Sequence, residues 1–452
     1  MRFARSFASI GIVLLTGLTA CQDSPTTAPT APPALAGVRP LKTYVIALSD
    51  AAPSDLATRI ERAGGKAKKI SQKAGVATAE SDAPDFAAQV RAMPGVESVA
   101  EDRLVRWINP NQRVIPASIG DDEPFFTPYQ WAPRAIHAPE AWDAGARGTG
   151  VRVAVLDGGL NYNHVDLDGS VDVERSASFV PRTQFFQDKD RSDFSHATHV
   201  AGIIAAQDDA IGTIGIAPGA TIIGVKVLNE GTGTFEQVIE GIIYAATSIQ
   251  DGGAGADIIN MSLGATFDPQ SADDEALLEA LDNTTTYAYN QGVVVIAAAG
   301  NEGVNFDKAR NLVTIPAQSA HVIGVSATGP VDYAGGGTNF DRQASYTNFG
   351  KAVVDFAGPG GDDTLAPVGN WFLDMVISPG SLKSRNGYFF ADGTSMAAPA
   401  VAGVAALILE KNPTASPDQV YTKLSSSADD LGKQGFDAVY GNGRVNAFKA
   451  VQ

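Results

Sequence analysis

The chain has 452 residues, of which 44% are hydrophobic and 18% charged, with 47 glycines and a net charge of −17. This exceeds one typical domain and is apolar enough for a large core with tight loops, which excludes a disordered or fibrous chain. The single cysteine excludes an internal disulfide, and the acidity argues against nucleic-acid binding.

Arg2 and Arg5 precede an apolar run at residues 10–18 that is too short to span a bilayer permanently, so residues 1–20 read as a signal peptide. Leu18-Thr19-Ala20-Cys21 resembles a bacterial lipobox, which makes Cys21 the expected lipidation site and a membrane an expected partner. Residues 21–40, rich in Pro, Thr, Ala and Ser, read as a flexible tether. Residues 41–107 read as a small α+β module, with strands at 44–48 and 99–105 and helices near 54–63 and 83–92. Up to residue 107 there are 13 basic and 10 acidic residues, a net of +3. The remainder carries 20 and 40, a net of −20, so the acidic part is the larger one and has room for cations.

Beyond residue 150, apolar runs at 151–156, 222–227, 258–262, 293–298 and 322–325 read as buried strands. They alternate with helical stretches at 199–206, 235–249, 275–290 and 395–410. That alternation predicts an α/β domain with a mostly parallel sheet and helices on both faces.

Three segments carry reactive side chains. The first strand run ends at Asp157, a carboxylate at the C-terminal edge of a buried strand, where α/β folds place chemistry; alone, it also fits an aspartate capping a turn. Ser195-His196-Ala197-Thr198-His199 holds two of the five histidines. An H-x-x-H zinc site is disfavoured because no Glu lies between them. Gly393-Thr394-Ser395-Met396-Ala397-Ala398-Pro399 presents a hydroxyl at a helix N-terminus, where free N–H groups favour an oxyanion; the same pattern also fits an N-cap serine opening a buried helix. A serine nucleophile needs a base, and the base needs an acid to orient it. Residue chemistry alone does not choose between His196 and His199.

In the order Asp, His, Ser, these segments resemble the subtilisin family (subtilases) of serine endopeptidases, from about Gln130 to the C-terminus. The order differs from that of α/β-hydrolases and of chymotrypsin-like enzymes. The resemblance implies a subtilisin-like three-layer peptidase domain at residues 129–452. In it Asp157 is the orienting acid, His196 the base, Ser395 the nucleophile and His199 a core helix residue. Asn301, after Gly300, would otherwise read as a turn; it resembles the family's oxyanion-hole side chain. Gly231-Thr232-Gly233 and Ser262-Leu263-Gly264 resemble the two edges that pair with an extended substrate backbone. Thr314 falls where many relatives have glycine at the base of a side-chain pocket, or is a plain loop residue. Two departures stand out: Gly158 replaces the usual Thr or Ser, and Ala197 the usual Gly.

The module at 41–107 resembles a subtilase's inhibitory propeptide, expected to be ferredoxin-like, with 108–128 as a processing linker. Gln207-Asp208-Asp209-Ala210-Ile211-Gly212-Thr213 aligns, counting from His199, with the family's calcium loop. The resemblance implies a structural Ca²⁺ held by Gln130, Asp166 and Asp209 side chains and by the Ile211 and Thr213 carbonyls; a solvated acidic turn is the alternative. The expected protein is a monomeric endopeptidase of the cell envelope or exterior, acting on polypeptides and inhibited by its own propeptide. The alternative is a catalytically impaired lipoprotein that only binds peptides.

Overall fold

The computed structural model describes residues 39–109, 112–117, 126–188 and 193–452, so the signal-peptide and Cys21 expectations fall outside the described residues. In β1 (Lys42–Leu48), side-chain alternation splits the strand between two cores. Tyr44, Ile46 and Leu48 enter a small cluster with Leu56, Ile60, Phe86 and Val90, whereas Val45 and Ala47 join the core of the larger part. With β2 (Gly65–Ser71), β3 (Val76–Ser81), β4 (Val96–Glu101) and helices Leu56–Arg62 and Phe86–Arg91, the module runs β-α-β-β-α-β. Its sheet order is β2-β3-β1-β4 and all pairings are antiparallel, the ferredoxin-like split arrangement. The helices cover one face. The other face lies on helix Ala272–Asn290 of the larger part.

The strand expected at 99–105 is two strands, β4 and β5 (Leu104–Arg106), because Asp102 turns its carboxylate onto the helix at Phe235–Ala246. The sequence reading missed β2 and β3: three lysines in β2 and the small side chains of β3 leave little apolar signal. β6 (Val114–Pro116) follows.

The large sheet is built from β7 (Arg152–Asp157), β8 (Ala177–Ser178), β9 (Thr221–Lys226), β11 (Ile258–Met261), β13 (Val294–Ala298), β15 (Val322–Gly329), β16 (Arg342–Gln343) and β17 (Phe356–Pro359). Its order is β16-β15-β13-β11-β7-β9-β8, with β17 also on β15; only the β15/β16 pairing is antiparallel. Val153 and Val155 face one core, Ala154 and Leu156 the other. A strand apolar on both faces needs a helical layer on each. His196–Ala205 and Thr394–Lys411 supply one layer, Phe235–Ala246 and Ala272–Asn290 the other. The helix expected at 199–206 begins at His196, because the Ser195 hydroxyl caps it by accepting the Thr198 N–H at 3.0 Å. Smaller pairings join β10 (Thr232–Thr234) to β5, β12 (Ala265–Phe267) to β14 (Val313–Ile315), and β19 (Tyr388–Ala391) to β18 (Val376–Pro379) on one side and β6 on the other.

Candidate active site

Asp157 is the last residue of β7 and is fully buried. Its backbone carbonyl accepts the Val227 and Leu228 N–H groups at 2.9 and 3.0 Å, which fixes the strand end. Its Oδ1 accepts the Gly158 N–H at 2.6 Å, and its Oδ2 lies 2.7 Å from His196 Nδ1. His196 is held as the first residue of its helix, and the cap is itself anchored: Ser195 Oγ donates to the Gly159 carbonyl at 2.6 Å. A carboxylate on Nδ1 places the ring proton there and leaves the Nε2 lone pair outward. Nε2 is buried and has no partner among the described residues.

Ser395 opens helix Thr394–Lys411 behind Gly393, whose φ of +148° suits glycine. Pro399, inside the helix, has no N–H to give the Ser395 carbonyl one turn back. Ser262 Oγ donates to that carbonyl instead, at 2.8 Å. The Ser395 hydroxyl in turn donates to the Ser262 carbonyl at 3.1 Å. In this structure the hydroxyl is therefore turned to the Ser262 backbone rather than to His196.

Asn301 Oδ1 accepts both the N–H and the hydroxyl of Thr394, at 2.9 and 2.8 Å. These donors orient the amide so that Nδ2 points away from them. A side chain placed on Gly393 would meet Asn301 Nδ2 at 3.3 Å and Ser395 N at 3.6 Å. Two N–H groups thus border a space that only a glycine leaves open, an arrangement suited to charge developing on oxygen.

The two glycine-rich edges bracket the chain's own segment. β10 pairs antiparallel with β5, with Thr232 opposite Arg106 and Gly233 opposite Val105. The Gly231 carbonyl accepts the Trp107 and Ile108 N–H groups at 2.9 and 3.2 Å, and from the other edge the Gly264 N–H donates to the Trp107 carbonyl at 2.8 Å. Trp107 is buried, its Nε1 donating to the Gly233 carbonyl at 2.9 Å and its ring set edge-on to Phe235. Leu263 is buried between these edges and the second core. Sequence reading did not foresee Trp107 in the cleft, although a large aromatic at the module's end was a usable signal.

Thr314 is a buried residue of β14, paired with Thr266, and not a loop residue. His199 is fully buried; its Nε2 lies 3.0 Å from the Phe389 carbonyl, and burial pushes it down to about 3, so it stays neutral. A Cβ at Gly158 would lie 2.9 Å from Asp188 Oδ2, a contact that a small shift of the Asp188 side chain relieves. Ala197 is buried in the core cluster on that face of the sheet.

Asp166 is fully buried, with Oδ2 accepting the Thr213 N–H and hydroxyl at 2.8 and 2.7 Å and Oδ1 accepting the Tyr388 hydroxyl at 2.5 Å. Burial pushes it up to about 6, and the charge of Asp209 adds in the same direction. Asp209 is exposed, with Oδ1 accepting the Ile211 N–H at 3.3 Å. Gln130 uses both amide atoms on the Ile214 backbone, Oε1 accepting its N–H at 2.9 Å. Among the described residues no group of three or more His, Cys, Asp or Glu side chains comes together as a metal site. Gln130 Oε1 keeps a second lone pair beside the one that meets the Ile214 N–H.

A mostly parallel sheet between two helical layers, with Asp157 on His196 at a strand end and Ser395 at the start of a helix packed on the helix of His196, is an architecture of the subtilisin type. The model of the subtilase family matches residues 148–443, so the chain belongs to that family. It is a subtilisin-like serine endopeptidase. It is 33% identical over 393 residues to a thermophilic serine proteinase of Bacillus sp. (strain AK1), covering 85% of this chain and 83% of that one. Thermitase of Thermoactinomyces vulgaris is 35% identical, over 73% of this chain and 99% of its own. Subtilisin DY of Bacillus licheniformis is 37% identical, over 70% and 96%. Among solved structures, a lanthipeptide protease superposes with a TM-score of 0.59 at 30% identity, covering 72% of this chain and 93% of its own. The fold also matches an epidermin leader peptide processing serine protease from Staphylococcus aureus, with a TM-score of 0.73 at 20% identity over 91% and 99% of the two chains.

Proposed function

We propose that Asp157, His196 and Ser395 form the catalytic triad and that Asn301 completes the oxyanion hole. The observation that carries this is the 2.7 Å Asp157–His196 contact with Nε2 left unpartnered. The Ser395 hydroxyl turns from the Ser262 carbonyl to Nε2, which takes its proton as Oγ attacks the substrate carbonyl. The oxyanion gathers hydrogen bonds from Asn301 Nδ2 and Ser395 N, and Nε2 then protonates the leaving amine. The acyl-enzyme is hydrolysed by water along the reverse path. Gly231–Gly233 and Ser262–Gly264 hold the substrate backbone, and Thr314 limits the depth of the side-chain pocket.

Residues 41–107 act as an intramolecular inhibitor, supported by β5 and Trp107 lying between the two substrate edges. The enzyme releases itself by cutting in the 108–128 linker. A lipid on Cys21 anchors the precursor to the cell envelope, with the mature domain at the envelope or outside it. The Gln130, Asp166 and Asp209 side chains, with the Ile211 and Thr213 carbonyls, are the groups that would hold a structural Ca²⁺. A fluorophosphonate, which traps an activated serine, tests the central reading. Wild type should be labelled and should cleave casein, Ser395→Ala should do neither, and labelling that survives the substitution removes the assignment.

A further inference from the structure

Strand β6 sits just past the nucleophile and is anchored to the peptidase side. Val114, Ile115 and Pro116 pair antiparallel with Ala391, Phe390 and Phe389, and the Ala117 N–H donates to the Tyr388 carbonyl at 2.9 Å. That partner strand, β19, runs straight into Gly393-Thr394-Ser395. Ile115 and Ala117 pack on the buried cluster of Met375, Ile377, Tyr388 and Phe390. Arg113 Nε lies 2.9 Å from Asp363 Oδ2, and its guanidinium stands 5.1 Å from the centre of the Trp371 ring. One residue upstream, Gln112 Nε2 donates to the Asp392 carbonyl at 2.9 Å. The same amide is 3.2 Å from where a side chain on Gly393 would begin, the point bordered by Asn301 Nδ2 and Ser395 N.

We propose that β6 is retained after self-processing as the N-terminal strand of the mature protease, and that with Gln112 it plugs the side of the cleft that receives residues following the scissile bond. The inference rests on the triad and self-processing reading above. Hydrolysis of a peptide bond upstream of Gln112 consumes one water, leaving a carboxylate on the departing module and an ammonium on the new N-terminus. The contacts of β5 and Trp107 leave with the module. Those of Arg113 to Ala117 do not, because their partners Asp363, Trp371 and β19 all belong to the peptidase. A polypeptide substrate would add its downstream residues to the same edge of β19, by strand addition. The tethered β6 competes at an effective concentration on the order of mM. The mature enzyme is thereby biased towards substrates with few residues beyond the bond it cuts.

Two measurements on the mature enzyme test this. Intact mass and N-terminal sequencing should place the new terminus at or before Gln112; a terminus beyond Gln112 overturns the proposal. In kinetics, Arg113→Glu removes the ion pair and the cation–π contact at an exposed position, and Arg113→Glu/Asp363→Arg restores the pair. The ratio of kcat/KM for a peptide with six residues beyond the scissile bond to that for a peptide p-nitroanilide should rise about three- to tenfold in Arg113→Glu and fall back in the double variant. An unchanged ratio overturns the plug. Failure of the wild type to hydrolyse the anilide would instead remove the catalytic reading beneath it.

Discussion

Asp102 of the small module caps a helix of the peptidase: its Oδ1 accepts the Phe235 N–H at 2.9 Å and the Glu236 N–H at 3.4 Å. Burial of this carboxyl pushes it up to about 6, with the charge of Glu236 adding to the rise and the hydrogen bonds opposing it. Glu240 on the same helix is raised by burial too. If processing releases the module, as proposed, Asp102 returns to the ordinary carboxylate range near 4. A group whose value is raised in the complex binds its proton more tightly there. Its contribution is therefore fully present below about 4 and is lost as pH rises through about 6. The cleaved module should dissociate faster at pH 8 than at pH 5, by up to about tenfold. Dissociation followed by size exclusion should show that difference, and Asp102→Asn should flatten it; equal rates in the wild type would refute it.

The parallel sheet was legible because its strands are buried on both faces, so Val153-Ala154-Val155-Leu156 reads as an unbroken apolar run. The reactive residues were legible because each sits where regular structure stops: Asp157 at a strand end, His196 and Ser395 at helix starts. What stayed hidden depends on pairing across long sequence distances. β6 is three residues long with nothing local to mark it, and only its register with β19 defines it. Trp107 and Gln112 gain meaning solely from Gly233 and Gly393, well over a hundred residues away. His199 could not be told from His196 by residue type, and burial against the Phe389 carbonyl separates them.

Ser262 and Pro399 act together on Ser395, the proposed nucleophile. Pro399 leaves the Ser395 carbonyl without its helical donor, and Ser262 Oγ satisfies it. Ser262→Ala strands that buried carbonyl, at a cost of about 1–3 kcal/mol. Measured in the Ser395→Ala background, where autolysis is absent, Ser262→Ala should lower the unfolding temperature by several degrees. No change would show that the carbonyl finds another donor.

If Asp166 and Asp209 hold Ca²⁺, the ion binds only the folded state and stabilises it by mass action. EDTA should lower the unfolding temperature of the mature enzyme, and Asp209→Ala should shrink that shift. An equal EDTA effect in wild type and variant would exclude the site.

The lipid and the module meet in one consequence. If Cys21 carries a lipid and residues 41–107 act as the inhibitor, as proposed, a cut in the 108–128 linker separates the anchor from the protease. On that reading the enzyme is tied to the membrane until the cut, and afterwards only the noncovalent contacts of the module retain it. Lys68 bonds Glu236 at 2.6 Å, and Arg103 pairs with Asp274, so ionic contacts hold the two parts together and salt should weaken them. Fractionation of cells expressing wild type and Ser395→Ala reads the outcome. The variant should remain full-length in the membrane fraction at any salt concentration. The wild-type catalytic domain should appear in the soluble fraction, more completely after a high-salt wash. A mature wild-type domain that stays in the membrane through that wash would show that a contact other than Cys21 and the module anchors it.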